Sequence, residues 1–337
     1  LTNKCNIRCI HCYGDFGCVE SKVMTLNQAK SLLNDLKSIG VRIIELTGGE
    51  ATVHPDIKEI LLYALELNFD QISFLTNGVA IPDEVIDIII KNKSKIYAQV
   101  DLHGLNDEYL TWFTKVSNTL NVIKKNIIKL AEGNVRMRIA TIVTRKNMNE
   151  IEDIADWVHD LGISHYGISP VISMGRAENS DSDLYLNFED FNYVNDKLER
   201  INKKYKNFLS LIEGERSESK SCGCLTSHVV IAPSGDIKIC TMDNLEYFNS
   251  SIGNVFEKNI KNIYDDNAEY INNFLNTPAP ISNSIECKEC EHRSFCSKCI
   301  LRGLVKAKDM NGECLWYNNK IKSEIKEKLE LEELAVQ

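Results

Sequence analysis

The 337-residue sequence contains no apolar run of the ~20 residues that a bilayer-spanning helix needs. It has no secretory signal, because it opens Leu1-Thr2-Asn3-Lys4-Cys5 rather than with a basic stretch followed by an apolar one. A membrane partner is therefore not expected. That opening also lacks an initiator methionine and runs almost at once into a motif, so residues upstream of Leu1 are expected. Positive charge is short: 39 Lys and Arg face 48 Asp and Glu, a formal net charge of −9 with a pI of about 5.4. Nucleic-acid binders present a basic face, so nucleic acid is not an expected partner either. Internal repeats and low-complexity tracts are missing, and no cysteine occurs from residue 19 to residue 221.

The twelve cysteines are instead confined to two groups, four from Cys5 to Cys18 and eight from Cys222 to Cys314. Without an export signal the compartment is reducing. Disulfides are disfavoured there, and cysteines this dense are more often metal ligands. A disulfide framework would also spread more evenly along the chain. With 43% hydrophobic residues, the length supports one large domain and a smaller one.

The first half alternates two periodicities. Apolar, β-branched runs at 41–46, 71–75, 95–100, 135–143 and 164–169 read as buried parallel strands. The stretches 26–39, 57–67, 81–90, 120–131 and 148–161 read as amphipathic helices. Asn149 and Pro82 supply start signals, and Gly40 and Gly162 supply stops. Residues 1–4 look like the end of a further strand. The alternation predicts an α/β fold of six β/α units, short of the eight in a closed TIM barrel. Ligands of such sheets sit at the carboxyl ends of the strands. The first cysteines, Gly48-Gly49-Glu50, Asn77-Gly78 and Asp101 all fall at that end, which points to one site. Residues 181–220 read as a polar helical bridge, 221–316 as a turn-rich domain too sparse in apolar residues to fold without metal, and 317–337 as a charged helix.

Cys5, Cys9 and Cys12 are spaced C-x3-C-x2-C on a loop after a strand. Three thiolates on a 4Fe–4S cluster leave one iron open, and an open coordination position is a catalytic arrangement. A structural zinc site with His11 as fourth ligand uses the same residues. The glycine pair 48–49 lets the backbone approach a ligand, and a Glu50 carboxylate can pair with an ammonium, although Gly-Gly-Glu alone also makes an ordinary turn. Asp101 can accept two hydroxyl hydrogen bonds or cap a turn. Arg138 carries a fork suited to a carboxylate or lies on a solvated strand face. In the second group, eight thiolates suffice for two 4Fe–4S clusters or for two zinc sites.

The C-x3-C-x2-C motif with Tyr13 after its third cysteine, and Gly48-Gly49-Glu50 after the second strand, resemble the radical S-adenosylmethionine (SAM) superfamily. The resemblance implies a partial (β/α)6 TIM-like barrel over residues 1–180. It also implies that the open iron chelates the amino and carboxylate groups of SAM, giving Cys5, Cys9 and Cys12 the catalytic cluster. Gly48, Gly49 and Glu50 are then expected to bind the SAM amino group, Asp101 its ribose and Arg138, with Arg136 as the alternative, its carboxylate. Two residues depart from the pattern: Ala51 stands where proline is common, and His11 where an aromatic is common. The stretch from Cys222 through Ile231-Ala232-Pro233-Ser234-Gly235 to Cys240, with Cys287, Cys290, Cys296, Cys299 and Cys314, resembles the SPASM domain of peptide-modifying members. It implies two auxiliary 4Fe–4S clusters. Cys287, Cys290, Cys296 and Cys314 would hold the outer one, and Cys222, Cys240 and Cys299 the inner one, with Cys224 its undecided fourth ligand. Only Ser297 and Lys298 separate Cys296 from Cys299, where the family has three residues. Cys18 is left over as a plain thiol.

The runs 168–177 and 101–114 are similar to maturases of ribosomally made peptides, the thioether-forming ones above all. The resemblance implies an enzyme that reductively cleaves SAM to a 5′-deoxyadenosyl radical and takes a hydrogen from a precursor peptide. The product expected is a cross-link from a cysteine sulfur to carbon. It further implies a flavodoxin- or ferredoxin-like electron donor and an oxygen-poor cytoplasm. Two other readings use the same residues. A sulfatase-maturing enzyme would make formylglycine, and a non-enzymatic iron–sulfur or zinc protein would serve as scaffold or electron carrier. The second leaves Gly48–Glu50 and Asp101 on the same rim without a purpose.

Overall fold

The computed structural model describes the chain except residues 18–20, 179, 181, 210–222, 244–246, 249–250, 297, 322–328 and 330–337. The chain divides into two units, Leu1–Val171 with Arg176–Ile212, and Ile172–Gly175 with Glu213–Gln337.

In the first unit, strands β1 (Ile43–Leu46), β2 (Gln71–Thr76), β3 (Ile96–Asp101), β4 (Arg136–Val143) and β5 (His165–Pro170) form one parallel sheet in the order 1-2-3-4-5. Helices α1 (Leu26–Ser38), α2 (Ile57–Glu66), α3 (Asp83–Lys91), α5 (Leu120–Glu132) and α6 (Ile151–Asp160) make the crossovers. An additional helix, α4 (Asp107–Thr114), lies between β3 and α5. The α/β reading of the sequence holds, with each strand within about two residues of its expected place. The glycines at 40 and 162 adopt φ +85° and +72°, the left-handed conformation that ends a helix cleanly. Asn149 does not start α6; Glu150 occupies the cap position, and the Asn149 carboxamide oxygen accepts from Tyr193 Oη at 2.8 Å.

The sheet has five strands rather than six. Residues 1–4 run along the rim beyond β1: Leu1 N donates to Thr47 O (2.9 Å), Gly49 N to Thr2 O (2.7 Å) and Glu50 N to Lys4 O (2.9 Å). This places the first cysteine loop directly beside the end of β1.

Alternation along the strands gives the sheet two unlike faces. Ile72, Phe74, Ile96, Ala98, Val100, Met137 and Ile139 are fully buried on one. Register puts Ser73 and Leu75, then Tyr97, Gln99 and Asp101, then Arg138 and Ala140, then His165 and Gly167 on the other. Apolar burial on the first face supplies stability, at about 25 cal/mol per Å² removed from water. The second face is left to carry polar chemistry. Helix α7 (Phe188–Lys204), part of the segment read as a bridge, packs on α6: Lys197 Nζ and Arg200 Nε reach the Glu152 carboxylate at 2.7 and 2.8 Å, and Lys204 Nζ reaches Asp156 at 2.7 Å.

The second unit holds a three-stranded antiparallel sheet, β6 (Val230–Ile231), β7 (Asp236–Lys238) and β8 (Ser251–Asn254), with helices α8 (Ile260–Asp266), α9 (Ala268–Asn276), α10 (Arg293–Cys296) and α11 (Ile300–Asp309). The expected C-terminal helix falls mostly outside the described residues; of it, Tyr317–Ile321 form a single wide turn.

Candidate active site and cluster-binding cysteines

The loop carrying Cys5, Cys9 and Cys12 is fixed from three sides. Arg8 N and Ile10 N donate to Thr114 O and Phe113 O at the end of α4, each at 2.9 Å. Arg176 clamps the other flank: its Nε donates to Cys9 O (2.9 Å), its Nη1 meets Asp15 Oδ1 (2.6 Å), and its backbone N donates to Cys12 O (3.1 Å). Asn77, from the end of β2, donates to Asn6 Oδ1 at 2.7 Å and approaches Cys5 Sγ at 3.9 Å.

The three thiols are free, with Cys9 buried and Cys5 and Cys12 half-buried. Burial pushes Cys5 and Cys9 up from the ordinary thiol range, and Cys12 adds to the rise in both. Buried thiols such as Cys5 and Cys9, which resist ionisation alone, need cations to become thiolates, which is what iron provides. A cleft of about 310 Å³ opens beside Cys5, with Lys4, Asn6 and Arg8 on its wall. Among the described residues no three His, Cys, Asp or Glu side chains are drawn in to the spacing of a single ion; a cube of four irons spreads its thiolates more widely than one zinc with ~2.3 Å bonds does.

The glycine pair is required by the close approach of two backbones. A Cβ on Gly48 would stand 2.4 Å from Thr2 O, and one on Gly49 would stand 2.5 Å from Lys4 O. Glu50 is buried, and its carboxylate accepts four hydrogen bonds. Oε1 accepts from Thr52 N (3.0 Å), Thr52 Oγ1 (2.7 Å) and Thr76 Oγ1 (2.8 Å), and Oε2 from Asn77 N (2.7 Å). Burial still pushes this carboxyl up. Glu50 therefore ties the end of β1 to the end of β2.

Asp101 ends β3 on the polar face of the sheet. Burial first, and then the Glu50 charge, push its carboxyl up to about 7. Its Oδ1 accepts from Gln99 Nε2 at 3.5 Å. Arg138 pairs in register with Gln99, one step below Asp101, and its Nη2 donates to Gln99 Oε1.

His11 stacks on Phe113 (centroids 4.5 Å apart, planes 15° apart) and meets His103 edge-on at 5.3 Å, its Nδ1 buried without a partner. The ring belongs to an aromatic cluster with Phe113 and Tyr109. His103 is a structural histidine: its Nδ1 accepts from Ile142 N (3.1 Å), and burial lowers it to about 3. Tyr109 and Phe113 are core residues, while Trp112 is half-buried. Arg176, Thr76 and Gln99 join the site without a local sequence signal, whereas Asn77 was expected on the rim from its position just after a strand.

In the second unit the cysteines fall into two sets. Cys287, Cys290, Cys296 and Cys314 lie close enough for their charges to act on one another, each raising Cys296, whose thiol burial already pushes well up. Cys224, Cys240 and Cys299 line one cleft together with Phe248, Phe274 and Leu301. Cys222, Cys18 and Ser297 lie outside the described residues. Lys298 adopts φ +62° and donates its backbone N to Pro280 O at 2.7 Å, which shapes the short Cys296–Cys299 turn.

Comparison with known proteins bears on both units. Residues 1–158 match the radical SAM superfamily, and residues 222–299 match the SPASM iron–sulfur cluster-binding domain. The antilisterial bacteriocin subtilosin biosynthesis protein AlbA of Bacillus subtilis is 28% identical over 326 residues, 95% of this chain and 70% of AlbA. The sporulation killing factor maturation protein SkfB of the same organism is 25% identical over 270 residues, 78% of this chain and 63% of SkfB. Streptococcus suis SuiB, solved with S-adenosylmethionine and with its precursor peptide SuiA, superposes with a TM-score of 0.70 at 18% identity, covering 90% of this chain. On these matches, the chain carries a radical SAM domain over residues 1–158 followed by a SPASM domain over residues 222–299.

Proposed function

We propose that the chain is a radical SAM peptide maturase that installs a cross-link, a cysteine sulfur joined to carbon, in a precursor peptide. The observation carrying this reading is the single rim on which the three thiols, the glycine-lined edge and Asp101 meet, in a chain similar to AlbA and SkfB over most of its length. Support for a peptide substrate comes from SuiB, which was solved with its precursor peptide.

Cys5, Cys9 and Cys12 hold the SAM-binding cluster. When bound, cluster and SAM supply a 5′-deoxyadenosyl radical that takes a hydrogen atom from the peptide. Glu50 Oε1 takes three of its four hydrogen bonds and Oε2 only one, so Oε2 keeps an acceptor site for the SAM amino group beside the Gly48–Gly49 edge that Glu50 also braces. Asp101 accepts from the ribose, and Arg138 serves the carboxylate. The aromatic wall of Phe113, Tyr109 and His11 supports the cysteine loop from behind and keeps water from it. Cys287, Cys290, Cys296 and Cys314 hold one auxiliary cluster; Cys222, Cys224, Cys240 and Cys299 hold the other. A flavodoxin- or ferredoxin-like protein supplies the electron.

Anaerobically reconstituted enzyme with SAM, dithionite and a cysteine-containing peptide encoded beside its gene tests this. The expected product has lost two hydrogens per link by mass spectrometry. A mass change matching formylglycine would instead identify the sulfatase-maturing reaction. Three clusters predict about twelve irons per chain.

A further inference from the structure

We propose that Gln99 is a positioning residue that fixes the orientation and ionisation of Asp101 toward the SAM ribose, using Arg138 as its anchor. The inference rests on the reading of Asp101 as the ribose ligand. Parallel pairing of β3 and β4 sets Gln99 directly opposite Arg138 and Asp101 opposite Ala140. On the other side, β2 places Leu75 opposite Gln99. The Gln99 amide thus has an apolar neighbour on one side and Arg138 on the other, with Asp101 two residues along its own strand.

Donor and acceptor chemistry then leaves one arrangement. A guanidinium only donates, so the Gln99 carbonyl faces Arg138 Nη2; an ionised carboxylate only accepts, so the Gln99 NH2 faces Asp101 Oδ1. Turning the amide over would set donor against donor and acceptor against acceptor. Glutamate at 99 would repel Asp101, methionine would offer neither bond, and asparagine is one methylene short. Charged groups acting on Asp101 come from two elements, Glu50 beyond β1 and Arg138 on β4; Asp101 in turn raises the Cys9 thiol on the cluster loop. Glu50 opposes ionisation of Asp101, whereas Gln99 and Arg138 favour it. Gln99 is also the one hydrogen-bond donor to Asp101 among the described residues, so its loss leaves only Arg138 to oppose the Glu50 effect.

The experiment is equilibrium binding of SAM to the reconstituted holoenzyme between about pH 6 and 9, with Gln99→Met, Gln99→Glu and Asp101→Asn. A hydrogen bond to a charged group is worth about 10–100-fold in affinity. Gln99→Met is expected to weaken SAM by that factor near neutral pH and to move the midpoint of the affinity–pH curve upward. Gln99→Glu should move it further. Asp101→Asn should flatten the curve. If Asp101→Asn binds SAM with wild-type affinity and pH dependence, the ribose assignment itself is wrong. If Asp101→Asn weakens binding but Gln99→Met leaves affinity and midpoint unchanged, Gln99 is a bystander and the proposal fails. Should Gln99→Met not load clusters, Gln99→Asn, one methylene short of Asp101, answers the same question with the same upward shift expected; an unmoved midpoint there also overturns the proposal.

Discussion

Gly49→Ala is the sharpest perturbation of the rim. The added methyl carbon would stand 2.5 Å from Lys4 O and 2.9 Å from Asn3 O. The first distance is about 1 Å inside van der Waals contact. Both neighbours are backbone atoms of the segment that leads into Cys5, and that segment is tied to the rim by Gly49 N→Thr2 O and Glu50 N→Lys4 O. Neither side can yield by rotating a side chain, so the cost belongs at the upper end of overpacking, about 3 kcal/mol. For a unit of this size that lowers Tm by about 6–12 °C. Displacing residues 3–5 also moves the first thiol, so the variant should retain less iron after anaerobic reconstitution. Gly40→Ala is the control. Its φ is +85°, but no atom lies within 4 Å of the added carbon, and it sits at the end of α1. It should cost about 1–2 kcal/mol and keep its iron. Gly49→Ala with wild-type melting and a full iron load would refute the reasoning.

Glu50→Gln puts an NH2 against groups that all donate to the carboxylate; it should cost about 1.5–3 kcal/mol in urea unfolding and weaken SAM binding. Phe113→Ala removes a fully buried ring beneath His11 and His103; a loss of about 3–5 kcal/mol and poorer cluster retention are expected from denaturation curves and iron analysis. Asp101 gives a pH signature in SAM-free enzyme. Its folded carboxyl holds a proton up to about 7, against 3.8 for the free group, so the folded state binds more protons between these values. Its contribution to stability is full below 3.8 and lost as pH rises through about 7. Asp101→Asn should remove that downward component, as read by urea unfolding at pH 5 and pH 8.

Strands and crossover helices were legible because apolar runs and 3.6-residue periodicity are local signals. The loop cysteines and glycines were legible because their spacing is. Helix α4 was not among the expected helices, although Asn106 caps it and Asp107 and Glu108 fill its first turn. Gln99 and Thr76 were invisible for a different reason. A polar residue inside a strand means little until register across the sheet sets it beside Arg138 and Asp101, or beside Glu50. Arg176 lies more than 160 residues from the loop it clamps, a distance no local pattern spans. The contacts of Glu50 with Thr52, Thr76 and Asn77, which tie the ends of two strands together, likewise appear only in three dimensions.

The most direct test is cofactor cleavage by wild-type and Cys9→Ala protein, both reconstituted anaerobically with iron and sulfide and supplied with SAM and dithionite. The wild type should yield 5′-deoxyadenosine, and the variant none. Zinc in place of iron at the first three cysteines, or 5′-deoxyadenosine formed equally by Cys9→Ala, would contradict the account.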